Sequence, residues 1–146
     1  MEFINRVINA LVNIHPLHPM IVHFPIALTG AALFFILLAW WQNSRKIEFV
    51  AFANISLAAF ATLVAGATGI YDNFKNYGGN APNASAKIVL ATCLLILTTA
   101  IAVTRWRKPG LFDGGWQKGL YIAGYALCFA LAFVLAFLGG IIMYGF

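Results

Sequence analysis

Four long runs of the chain contain no Asp, Glu, Lys or Arg: between Arg6 and Arg45, between Glu48 and Asp72, between Lys87 and Arg105, and beyond Lys118. Each can supply the roughly 20 apolar residues that cross a ~30 Å hydrocarbon core. They predict membrane spans near 20–41, 49–71, 88–104 and 119–144. The expected architecture is an all-α integral membrane protein, a four-transmembrane-helix bundle forming one domain over 1–146 with no separate catalytic module. Ahead of the spans, Phe3, Ile4, Val7, Ile8, Leu11 and Val12 recur at helical spacing opposite Asn5, Arg6, Asn9 and Asn13. This pattern predicts a short interfacial amphipathic helix within 1–14. It does not suit a cleaved leader, whose apolar core the polar residues would interrupt.

Small residues mark the expected packing faces, because they let helix backbones approach closely in lipid. In the second span they are Ala61, Ala65 and Gly69, flanked by Ala58, Thr62 and Gly66. In the fourth they are Gly119, Ala123 and Ala130, then Gly139 and Gly140. Between Asp72 and Ala86, Asn, Gly and Pro predict a 15-residue exposed connection. Trp40, Trp41, Trp106 and Trp116 gather at one predicted boundary, and Tyr71, Tyr77 and Tyr144 at the other, as aromatic belts do.

With 62% hydrophobic and 9% charged residues, the chain falls in the membrane class. Its net charge of +5 does not suggest nucleic-acid binding, because the basic residues sit at span ends and form no basic face. Arg45, Lys46, Arg105, Arg107, Lys108 and Lys118 lie on one side, against Arg6, Lys75 and Lys87 on the other. The positive-inside rule then places both termini outside. Cys93 and Cys128 fall within spans and are expected to be buried small hydrophobes.

All three histidines lie in His15-Pro16-Leu17-His18-Pro19-Met20-Ile21-Val22-His23-Phe24-Pro25, at the entrance to the first span. An ionisable ring at a span entrance is a functional-site candidate. The predicted topology brings His18, His23, Asp72, Lys87, Met143 and Tyr144 to the same outer level, while the inner end is expected to hold only arginines, lysines and tryptophans. Neutral imidazole can bind iron, zinc or copper through one nitrogen while the other donates to an orienting group. The candidate metal ligands are His15, His18 and His23; the candidate cofactor ligands are His23, His18 and Met143. His23 is expected to pack near Asp72, or against the Ile21 carbonyl that Pro25, lacking an N–H, leaves free. The alternative is that His23 makes such a bond and binds nothing else.

The segment His18-Pro19-Met20-Ile21-Val22-His23-Phe24-Pro25 resembles the signature of a family of small bacterial membrane proteins, the domain of unknown function numbered 2231. Gly69-Ile70-Tyr71-Asp72 resembles that family's ending of its second helix, and Gly139-Gly140 with Tyr144-Gly145 its glycine-rich tail. The resemblance runs the length of the chain and implies Pro19, Pro25, Asp72, Gly139 and Gly140 as structural motif positions. It also implies a bacterial inner membrane, and the positive-inside rule puts the histidine cluster, with the termini, on its periplasmic side. Two family histidines are missing. Lys87 stands where one is often found, and Met143-Tyr144-Gly145-Phe146 lacks another. A bis-histidine haem within one chain is then hard to build.

The chain shows no acid pair, Ser/His/Asp set or phosphate loop, so it does not read as an enzyme. The expected function is a non-catalytic accessory or structural subunit of a multi-subunit membrane complex, respiratory or photosynthetic. Its partners would be membrane lipids and other membrane subunits, with no nucleic acid and no soluble substrate. The alternative is a b-type haem or metal-binding electron carrier. The cofactor stays open between haem b, a chlorophyll-type pigment and a carotenoid.

Overall fold

The computed structural model describes residues 2–9 and 17–144. Its elements are α1 (Glu2–Asn9), α2 (Leu17–Ile21), α3 (His23–Gln42), α4 (Arg45–Tyr77), α5 (Ala84–Arg107), a 3-10 turn (Pro109–Phe112) and α6 (Gly115–Tyr144). Four helical stretches are long and apolar enough to cross a membrane: His18–Gln42, Arg45–Tyr77, Ala84–Arg107 and Gly115–Ile141. The first comprises α2 and α3, which meet at a turn on Val22. Pro25 explains the break, since it cannot donate to Ile21 and so interrupts the helical ladder there.

Each long helix packs on its sequence neighbours, and α6 closes the ring against α3. The buried positions repeat at alternating steps of three and four. They are Pro25, Thr29, Ala32, Ile36 and Ala39 on α3, and Glu48, Ala51, Ile55, Ala58, Thr62 and Ala65 on α4. Leu94, Thr98 and Ile101 continue the pattern on α5, and Tyr121, Tyr125, Cys128 and Ala132 on α6. Such a seam is the one along which knobs enter holes in helical bundles. The buried threonines do not disturb it. Thr29, Thr62 and Thr98 each donate to a carbonyl one turn back in their own helix, at 2.7, 2.7 and 2.8 Å.

The expected small-residue ridge of the second span is half right: Ala58, Thr62 and Ala65 are buried, while Ala61, Gly66 and Gly69 flank them. In α6 the expectation fails. Gly119, Ala123 and Ala130 face outward, and a Cβ added at Gly139 or Gly140 would meet nothing within 4 Å. The close approaches lie elsewhere. A Cβ on Gly30 would stand 3.2 Å from the Phe129 ring, and one on Gly124 would stand 2.9 Å from the end of Ile101. Small residues alone do not distinguish the outward face from the packed face; the three-four register of the buried positions does. Cys128 is buried as expected, but Cys93 is exposed.

The connection predicted over 72–86 is also shorter than expected, because α4 continues to Tyr77. Asn76 bonds the Asp72 carboxylate one turn back, and Gly78 ends the helix with φ at +55°. Glycine occupies that left-handed conformation at little cost. Asn73 then stitches the loop, its side chain donating to the Gly79 carbonyl at 3.3 Å and accepting from the Ala81 N–H at 2.9 Å. At the opposite end, exposed Arg45 pairs with Asp113, and Lys118 sits 4.2 Å from the centre of the Phe112 ring. Trp40, Trp41, Trp106 and Trp116 are all exposed there, and Tyr71 and Tyr77 are exposed at the far end.

The amphipathic α1 occupies the start of the predicted interfacial segment, with Phe3 and Ile4 exposed. Positions 10–14 of that segment, and His15 and Pro16 beyond it, lie outside the described residues.

Candidate functional site

Polar side chains concentrate at both ends of the bundle. At the end where α2 begins, the half-buried His18 ring lies against α4. A Cβ on Gly69 would stand only 2.8 Å from its Cε1 and 3.1 Å from its Nδ1, so glycine is what admits the ring. His18 Nδ1 is 3.4 Å from the Thr68 hydroxyl. That hydroxyl already directs its proton to the Val64 and Ala65 carbonyls, each at 3.0 Å, so its oxygen accepts from the ring N–H. Asp72, one turn further along α4, and Lys87 at the start of α5 both act electrostatically on the ring. The histidine-proline segment and the Gly69–Asp72 segment therefore meet in space, with Lys87 beside them.

His23 takes a different place from the expected one. It is exposed and bonds neither Asp72 nor the Ile21 carbonyl; its Nδ1–H donates to the Pro19 carbonyl at 2.6 Å. Helical geometry gives the reason. Five residues turn a helix through about 500°, leaving His18 and His23 roughly 140° apart. One can face α4 only if the other faces away, and the small Gly69 shelf selects His18. The structure thus does not bring His18 and His23 together as a ligand pair. His15 and the side chain of Met143 lie outside the described residues. Among the described residues, no three of His, Cys, Asp and Glu converge as metal ligands would.

At the other end, the expectation of arginines, lysines and tryptophans alone is overturned by Glu48, which is 0% exposed. Arg105 grips its carboxylate with both arms of the guanidinium, Nε at 2.6 Å from Oε1 and the second nitrogen at 2.8 Å from Oε2. Tyr121 donates to Oε1 at 2.8 Å, and its oxygen lies 2.8 Å from the Tyr125 hydroxyl. The Arg105 guanidinium also stands 5.6 Å from the centre of the Phe52 ring. Three helices are joined here through one carboxylate. Among the described residues, every buried side-chain nitrogen and oxygen has a hydrogen-bond partner. One signal could have found this cluster. Stepping back by threes and fours from Ala65 through Thr62, Ala58, Ile55 and Ala51 arrives at Glu48, on the buried stripe.

Four apolar spanning helices in a closed ring, with the two polar clusters near their ends, define a multi-pass helical membrane protein. The chain belongs to the family described as predicted membrane protein (DUF2231), which matches residues 14–146 and so includes both segments meeting at His18. No curated protein and no solved structure matches it.

Proposed function

We propose that the protein is a non-catalytic accessory or structural subunit of a larger membrane assembly, one that works through its outer surface. The observation that carries this is how the interior is filled. The most extensive interhelical contact, between α3 and α4, buries Ala32 and Ala39 on one helix and Ala51, Ala58 and Ala65 on the other. Alanine seams hold helices close together. The polar groups inside are engaged with one another, leaving the interior to structure and the periphery to partners. Phe34, Phe60, Phe133 and Phe137 are among the large side chains that face outward for lipid or neighbouring helices to cover. The excess of basic residues near Arg45 and Arg105 supports a topology with the His18 end outside.

A second reading has one observation in its favour. The Pro19 carbonyl holds His23 Nδ1 protonated, so in the neutral ring Nε2 carries the lone pair on an exposed side chain. A metal-ligating histidine is oriented in this way, its other nitrogen donating to a carbonyl. A haem or chlorophyll-type pigment ligated from outside the bundle would use it.

Extraction in mild detergent separates the two. The accessory-subunit reading expects the chain to migrate in a large complex and, once isolated, to lack a reducible haem Soret band. Stoichiometric haem on the isolated chain would reject that reading in favour of the electron carrier. Topology is checked by placing a cysteine at position 79, which should react with an impermeant thiol reagent from outside intact cells.

A further inference from the structure

A groove of about 320 Å³ opens between the last turns of α5, the 3-10 turn and the first turns of α6. Its volume is at the lower end of small-ligand sites. Its lining changes character along both helices in the same sense. On α5 it passes from Ala100 and Ile101 through Thr104 to Lys108, and on α6 from Leu120 to Gln117 and the exposed Trp116. The part toward the middle of the helices is apolar apart from the engaged Tyr121, and the part nearest the helix ends sets Lys108 and Gln117 beside Leu111 and Trp116. A phospholipid, acyl chain inward and headgroup at the boundary, has the same gradient.

Charge identifies the headgroup. No acid lines the groove, and Tyr121 in its wall has its hydroxyl engaged by Glu48. Of the two acids at this end, Glu48 is taken by Arg105 and Asp113 by Arg45. Among the described residues, Lys108 has no acidic partner, and neither does its chain neighbour Arg107. Basic pockets between membrane helices suit anionic headgroups. We infer that this groove is a binding site for an anionic phospholipid, with Lys108 at the phosphate, Gln117 and Thr104 hydrogen-bonding beside it, and an acyl chain along Ala100, Ile101 and Leu120. The site stands apart from the question of protein partners, because the single chain forms it.

The full-length protein, released from nanodiscs of equal phosphatidylglycerol and phosphatidylcholine, is examined by native mass spectrometry. Phosphatidylglycerol should be retained in preference. Lys108→Gln should lower its retention about fivefold, as expected for one basic residue near a headgroup. Lys46→Gln, which removes the same charge outside the groove, should leave retention unchanged. Leu120→Trp, which fills the groove from its exposed side, should lower retention while the melting temperature holds. Equal retention of the two lipids would overturn the inference. So would equal losses in the two lysine variants, which would mean diffuse attraction, or undiminished retention in a folded Leu120→Trp protein.

Discussion

Arg105→Met should destabilise the bundle by about 3–5 kcal/mol, the usual cost of stripping one partner from a buried ion pair. The Glu48 carboxylate would be left fully enclosed, with Tyr121 its one remaining donor among the described residues. The loss is measured as a fall in unfolding free energy in a fixed detergent. Glu48→Leu combined with Arg105→Met should recover most of it, because replacing both partners removes the stranded charge. The Tyr121 hydroxyl keeps Tyr125 as its partner in that double variant. A double variant as unstable as the single one would assign the loss to the missing contact of the guanidinium with the Phe52 ring instead.

Gly69→Ala should change sign with its background. In the natural chain the new methyl would meet the His18 ring at 2.8 Å and force it from its place on α4. Losing the ring's hydrogen bond to Thr68 and its packing should cost about 1–3 kcal/mol. With His18→Ala already present, the shelf is empty, and alanine should stabilise the helix by up to about 1 kcal/mol over glycine. A double-mutant cycle reads the difference directly. Equal effects in the two backgrounds would mean that the ring is not held against the Gly69 backbone.

The four spans were readable from charge gaps, because burying an ionised side chain in hydrocarbon costs too much to be common. Family membership was readable from His18–Pro25 and Gly69–Asp72, but which histidine faces inward was not. His23 sits deeper in the predicted span and looked the better candidate. The choice depends on helical phase across the break at Val22, and on Gly69 lying opposite His18 rather than His23. The second is not a property of the histidine segment itself. Glu48 and Arg105 were hidden for another reason. At the edges of charge gaps they resemble topology signals, and only the register of buried residues on α4 shows that Glu48 points inward. Tyr121 and Tyr125 are seam residues of the same kind, four apart on the buried face of α6.

Both polar clusters are mounted on one continuous helix of 33 residues. At 1.5 Å per residue, Glu48 and the Gly69 shelf are separated by about 31 Å along its axis, which is close to the ~30 Å thickness of a typical hydrocarbon core. α4 therefore acts as a gauge. In a bilayer of matching thickness the carboxylate and the imidazole each reach a boundary, whereas a markedly thicker one would draw one of them into hydrocarbon. Tilting, the ordinary response of a helix too long for its bilayer, shortens the vertical distance between the clusters and so cannot relieve a helix that is too short. The ion pair and the histidine shelf together bias the protein toward membranes no thicker than the distance between them.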